Sequence, residues 1–205
     1  MYQPAHSQFV EDRPDVLHRL IRENPLGTLI TQREDAIAIN HLPFLLNEAG
    51  NKFTAHVPRA NPVWQGLDGK SVQIVFHGPN AYISPSWYAA KQEHGRVVPT
   101  WNYAVVHAQG TVRVIEDRSW LRAYLDELTD THERELAHPW HVSDAPSDYI
   151  DKLLGSIVGL EIAIAKLEGK YKLGQNRSQA DRQGVMDGLT ALDSPLAAFA
   201  RKFGL

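Results

Sequence analysis

The 205-residue chain contains no cysteine. Disulfides, thiolate catalysis and zinc–thiolate sites are therefore excluded. No stretch approaches the ~18 apolar residues of a membrane span, so none is predicted. Residues 1–10 show no basic region followed by an apolar run, and no signal peptide is expected. These absences together lead to the expectation of a cytoplasmic protein without membrane attachment. Neither sign of charge dominates. Lys and Arg number 21 against 24 Asp and Glu, a formal net charge of −3. A duplex-binding domain carries a basic face, but here the densest cationic group is only Lys166, Lys170, Lys172 and Arg177, enough for one phosphate. A Walker A loop, a Rossmann glycine fingerprint, a nucleophile elbow and an H-E-x-x-H pair are all missing. The ten histidines include His132, His138 and His141, yet no spacing converges on a ligand set, so no metal is expected.

What is present is an ordinary globular composition, 43% hydrophobic and 22% charged, with no repeat and no clear linker. A single domain over residues 1–205 with a helical C-terminal extension is expected. Residues 11–24 predict a helix, with Val16, Leu17, Leu20 and Ile21 on one face, Asp12 as N-cap and Pro14 in the first turn. The period then changes to two. Segments 27–31, 36–46, 52–57, 71–77 and 81–84 read as short strands. Segment 98–115 reads as two more, turned near 108–110, and segment 158–167 as a last one. A short helix is expected over 60–67. Residues 119–135, 147–157, 178–188 and 194–203 predict helices, the third of them with Ser178 as cap. The fold class expected is mainly β with added helices, α+β: six to seven antiparallel strands closed into a barrel, followed by a helical C-terminal third.

Three segments carry the chemistry. Between Pro79 and His107, the aromatics Tyr82, Trp87, Tyr88, Trp101 and Tyr103 alternate with Ser84, Ser86, Lys91, His94, Thr100 and Asn102. Aromatic faces beside hydrogen-bonding groups suit a flat heterocycle, or equally a core or a subunit interface. In His56-Val57-Pro58-Arg59-Ala60-Asn61-Pro62 a strand leads into a short helix with Arg59 at the junction; helix-start N–H groups plus a guanidinium suit a phosphate, or Arg59 is a plain surface arginine. In 169–177, Lys170, Lys172 and Arg177 stand with Gln175 and Asn176 after a strand.

The stretches MYQPAH, EDRPDVLHRLI, NHLPFLL, HVPRANPVW, FHGPNAYISPSWY, EHGRVVPTWNYAVVHAQG, PWHVSDAP, IVGLEIAIAKLEGKYKLGQNR and DRQGV resemble the PaiB family, described as FMN-binding negative transcriptional regulators. They span nearly the whole chain. The resemblance implies a split β-barrel similar to that of pyridoxamine phosphate oxidases and flavin reductases. It also implies a homodimer with FMN in the cleft between subunits. It places Arg59 and Asn61 at the FMN phosphate with His56 and Val57 beside them. Ala60 and Asn61 stand where such oxidases commonly have serine and lysine. It further implies that Thr100, Trp101, Asn102 and Tyr103 come from the facing subunit and that Lys170, Gln175 and Arg177 close the site. A DNA or regulatory-protein partner follows from the family description. The residues point to repression that is indirect or dimer-dependent, because Arg118, Arg122 and Arg134 are offset by Asp126, Glu127, Asp130, Glu133 and Glu135. A flavin-dependent oxidoreductase and a haem-binding split barrel are the alternatives.

Overall fold

The alternation of apolar and polar residues runs straight through Gly78, Pro79 and Asn80, where turn chemistry predicts a break. The result is one strand, Ser71–Ile83, in place of two. The same happens at Gly110: Thr100–Ile115 is a single 16-residue strand. In both cases the glycine serves close approach. A Cβ at Gly110 would lie 2.5 Å from the Ala163 carbonyl oxygen, and one at Gly78 would lie 2.9 Å from Leu20 Cδ1 and 3.2 Å from the Ala104 oxygen. A glycine inside a strand can mark a neighbouring backbone as readily as a turn.

The computed structural model describes Met1, residues 7–33 and residues 36–203. In chain order its regular elements are β1 (Val10–Glu11), α1 (Pro14–Glu23), β2 (Leu26–Arg33), β3 (Ala36–Pro43), β4 (Leu45–Leu46), β5 (Lys52–Pro58), β6 (Ser71–Ile83), α2 (Ala90–Glu93), β7 (Thr100–Ile115), α3 (Arg118–Glu133), α4 (Ser147–Leu154), β8 (Ile157–Lys172), α5 (Gln179–Ala191) and α6 (Pro195–Arg201). The mainly antiparallel, α+β class expected from the sequence is what is found, with eight strands among the described residues in place of six or seven. Their hydrogen-bonded order is β3-β2-β6-β7-β8-β5-β4, and β1 pairs with β8. Among the described residues no ladder joins β3 to β4, so the sheet is open where closure is expected. Only Phe44 separates those two strands, and a hairpin needs a two-residue loop to bring neighbours face to face. The 60–67 segment forms a 3₁₀ turn, Pro62–Trp64, with Asn61 as its cap. Arg13, whose side chain makes no capping bond and pairs with Glu11 instead, takes the cap position of α1 that Asp12 is expected to fill. No helix among the described residues is long and apolar enough to cross a membrane.

The chain divides into two compact units, each discontinuous in sequence. The first comprises Met1–Asn24, Phe76–His107 and Leu167–Leu205. Val16, Leu17, Leu20 and Ile21 of α1 are buried as their spacing predicts. At its C-terminal end Tyr171, Phe199 and Phe203 pack ring against ring, with centroids 5.0 to 5.7 Å apart. Ser178 caps α5 by accepting a bond from the Asp181 N–H.

The second unit comprises Pro25–Val75 and Ala108–Lys166. β5 pairs with β8 from Lys52↔Ala163 to Pro58↔Ile157, which sets Phe53, Ala55 and Val57 inside. Leu121, Val142, Ile150 and Leu154 form a core cluster, with Trp120, Leu125 and Ile157 packed on it. Asp117 caps α3 by accepting from the Trp120 N–H at 2.7 Å.

Candidate functional site

In the first unit, strand alternation decides which side chains are available. At the start of β7, Asn102 is buried, Thr100 and Tyr103 are half-buried, and Trp101 remains 55% exposed. Trp101 meets Tyr82, itself 49% exposed, edge to face at 6.3 Å. Two large aromatic faces are thus left to solvent on β6 and β7.

The end of β8 brings positive charge to the same stretch of β7. Lys172 Nζ donates to Thr100 Oγ1 and, at 2.8 Å, to the Trp101 carbonyl oxygen. Lys170 Nζ lies 6.0 Å from the Tyr103 ring centre, and the Arg177 guanidinium lies 4.6 Å over Tyr88. The turn between them is tied by Gln175, which donates to the Tyr171 oxygen at 2.6 Å and accepts from the Leu173 N–H at 2.8 Å. Gly174 supplies the positive φ, +92°, that this turn needs. Burial, and then the like charges of Lys170 and Arg177, hold the Lys172 ammonium below its ordinary range. Among the described residues neither Lys172 nor Arg177 has a carboxylate partner. An anionic or electron-rich edge of a ligand arriving here would relieve that repulsion. The space enclosed by Tyr88, Asn102, Arg177 and Met186 is ≈ 10 Å³, room for about one water molecule. The open faces of Trp101 and Tyr82 offer a flat ring system the surface that this enclosed space does not.

The second unit holds His56, Val57, Arg59 and Asn61, each with a defined place. Val57 is in the core. His56 Nδ1 lies 3.1 Å from the Tyr124 hydroxyl, and Tyr124 stacks on Trp120 with ring planes 9° apart. Arg59 Nε donates to the Gly155 oxygen at 3.0 Å and Nη2 to the Ile157 oxygen at 3.3 Å, while Nη1 pairs with Glu116. Asn61 donates to Asn40 Oδ1 at 2.8 Å and accepts from the Val63 N–H at 3.0 Å. Arg59 and Asn61 thus sit together at the mouth of the 3₁₀ turn, and the Arg59 side chain is 38% exposed.

The expected residues therefore fall into two groups, one in each unit. Lys172, Tyr82 and Tyr88, which the sequence offers only as members of the aromatic and cationic clusters, join the first group. For Lys172 the signal was available, because period-two alternation sets it on the same strand face as Lys170. Nothing local in the sequence points to Glu116, which is 57 residues from Arg59.

Burial holds the His56 imidazole below its ordinary range, so it is neutral in the folded state and resists a proton that the unfolded chain accepts. Its contribution to stability is full above the unfolded imidazole pKa, ~6.5, and is lost as pH falls below it. Burial shifts His107 the same way. The melting temperature is expected to fall between pH 7.5 and 5, and to fall less in His56→Gln. An equal slope in both proteins would remove His56 from the account.

Comparison with known proteins follows the same lines. The sequence matches the family described as "Putative FMN-binding domain" over residues 1–166, which leaves the Lys170–Arg177 turn outside the matched stretch. The chain is 30% identical to "Protease synthase and sporulation protein PAI 2" of Bacillus subtilis over 96% of its length and 93% of that protein's. It is 33% identical to an uncharacterized protein of Emericella nidulans, covering 89% and 88%. Among solved structures, a FAD and heme binding protein from Mycobacterium smegmatis superposes with a TM-score of 0.63 at 19% identity, over 88% of this chain and 80% of that one. The flavocytochrome Anf3 from Azotobacter vinelandii gives 0.59 at 14% identity, over 89% and 78%. At such identities these two likenesses establish the fold alone.

Proposed function

This chain belongs to the FMN-binding domain family, FMN is its cofactor, and we propose that it acts as a homodimeric flavin sensor in negative transcriptional regulation. The observation that carries the flavin site is the cluster on β7 and β8: open aromatic faces at Trp101 and Tyr82 beside Lys170, Lys172 and Arg177. In this reading Trp101 and Tyr103 receive the flavin ring, while Thr100 and Asn102 offer hydrogen bonds to its polar edge. Gln175 fixes the turn that carries Arg177. The phosphate falls to Arg59 and Asn61 at the end of β5, with His56 and Val57 holding that strand end in place. In the proposed dimer the β7 segment is presented by the facing subunit. Bound FMN would supply hydride or electron exchange, and the protein would supply binding, orientation and charge.

The regulatory part of the reading is supported by the likeness to PAI 2, whose name refers to protease synthesis and sporulation. With −3 net charge and no basic face read from the sequence, repression works through a protein partner. A salt-sensitive shift of a specific promoter fragment at nanomolar protein would overturn that. The flavin reading is tested by titrating purified protein with FMN and following absorbance and flavin fluorescence. Quenching at micromolar FMN is expected. No uptake at tens of micromolar, or a strong Soret band from the protein as purified, would sink it. NADPH-dependent turnover of the bound flavin would replace the sensor by an oxidoreductase.

The homodimer is supported by an unpartnered apolar stripe in the second unit. The register pairs Leu26 with Pro43, Ile30 with Ile39 and Gln32 with Ile37, and residues directly opposite share a face. Ile37 is 71% and Ile39 60% exposed, a poor use of two isoleucines on a monomer. Ile39→Lys is expected to convert a dimer into a monomer in light scattering. A two-fold interface presents the change twice, at ~2 kcal/mol or more for a central residue. A wild-type monomer at tens of micromolar, or an undisturbed mutant dimer, would refute the assignment.

A further inference from the structure

We propose that Glu116 is the counter-ion that sets this protein's affinity for the FMN phosphate, occupying the Arg59 guanidinium until a dianion displaces it. This rests on the reading above that Arg59 takes the phosphate.

The Arg59 guanidinium is held in place by contacts that owe nothing to Glu116. Its Nε and Nη2 donate to the Gly155 and Ile157 carbonyl oxygens at 3.0 and 3.3 Å. Its Arg59 carbonyl oxygen accepts from Trp64 Nε1 at 3.0 Å, and the Trp64 ring lies 5.8 Å from the guanidinium carbon. The plane and the aim of the fork are thereby fixed from the end of α4 and from the 3₁₀ turn. Among the described residues only the Nη1 edge faces an anion, and that anion is Glu116, at the end of β7 and 55% exposed. A guanidinium has five N–H donors, so three bonds leave two unassigned.

Such an arrangement can exchange one partner without rebuilding the rest. The two carbonyl bonds persist, the carboxylate swings into water, and a phosphate takes its place on Nη1 and on the unassigned donors. The exchange costs about 1 kcal/mol or less on the protein side, the range of an exposed ion pair. It is also selective. A monoanion offers Arg59 no more than Glu116 already does, whereas a phosphate dianion brings a second charge and bidentate geometry. Glu116 therefore lowers affinity for every anion and lowers it least for a phosphate monoester.

The experiment is a double-mutant cycle read with two flavins. FMN and riboflavin, which lacks the phosphate, are titrated by fluorescence quenching against wild type, Glu116→Gln, Arg59→Ala and the double variant. Glu116→Gln is expected to tighten FMN about five-fold, equivalent to ~1 kcal/mol at tenfold per 1.4 kcal/mol, and to leave riboflavin unchanged. In the Arg59→Ala background the same change should do nothing. Glu116 is exposed and glutamine keeps one acceptor, so all four proteins should fold, which melting curves verify. Unchanged or weaker FMN binding by Glu116→Gln would overturn the inference while leaving the flavin reading intact. So would equal tightening of riboflavin, or an effect that survives without Arg59. Failure of wild type to take up FMN would overturn both.

Discussion

Arg59→Ala is expected to weaken FMN binding by about 10- to 150-fold and to leave riboflavin binding within about two-fold. Hydrogen bonds to a charged group contribute about 1.5–3 kcal/mol, and 1.4 kcal/mol is tenfold in affinity. The structure adds a second consequence. Arg59 donates to the carbonyl oxygens of Gly155 and Ile157, just beyond the last residue of α4, Leu154. At Gly155, the C-cap of α4, a cation satisfies an orphan helix carbonyl and complements the negative end of the helix dipole, whereas Ile157 is the first residue of β8. Its removal should therefore also lower the melting temperature by a few degrees, through ~1 kcal/mol of lost capping. The two effects separate cleanly in Arg59→Lys. Lysine retains the charge but not the planar fork, so part of the FMN affinity should return, while the two carbonyl bonds should not both be restored. Equal binding of FMN by wild type and Arg59→Ala would remove Arg59 from the phosphate and leave that task to Lys170, Lys172 and Arg177.

Legibility followed distance along the chain. The α1 stripe of Val16, Leu17, Leu20 and Ile21, the Ser178 cap and the inward set of β5 were all readable, because each is decided within one or two turns of backbone. Strand length was not. Gly78 and Gly110 carry the composition of turns, and only the neighbouring backbone, Ala104 in one case and Ala163 in the other, shows that they allow close strand contact. At the site, the residue types were readable as aromatic and cationic clusters. Their pairings were not, because Lys172 reaches Thr100 across 72 residues and Arg59 reaches Glu116 across 57. A motif announces which chemistry is present; the sheet register decides which partner each group receives.

The same argument from close approach makes Gly184→Ala and Gly188→Ala the largest expected stability changes. Both glycines lie inside α5, where each costs about 1 kcal/mol relative to alanine, so helix propensity alone predicts that the substitutions stabilise. The packing says the reverse. A Cβ at Gly184 would stand 1.9 Å from the Trp87 carbonyl oxygen, and one at Gly188 would stand 2.4 Å from the Trp87 ring. The two positions are four residues apart on one helix face, and that face is pressed against the Pro85–Trp87 turn. Overpacking of this kind costs about 1–3 kcal/mol, occasionally more, and here the close neighbour of Gly184 is backbone, which has least room to yield. With overpacking at the upper end, ~3 kcal/mol, less the ~1 kcal/mol of helix propensity, the net loss of ~2 kcal/mol in each variant corresponds to a fall of roughly 4–8 °C in the melting temperature. A second substitution distinguishes the two contacts. Trp87→Ala removes the ring but not the carbonyl, so it should relieve Gly188→Ala and not Gly184→Ala. The change should also be felt at the proposed flavin site. Tyr88, next to Trp87, lies beneath the Arg177 guanidinium, and the Asp181 carboxylate of α5 accepts from the Ala90 N–H at 2.9 Å. Displacing α5 therefore moves the base on which Arg177 rests, and FMN affinity should fall with stability in Gly184→Ala. If Gly184→Ala melts higher than wild type, helix propensity outweighs the contact and this close approach is not what requires the glycine.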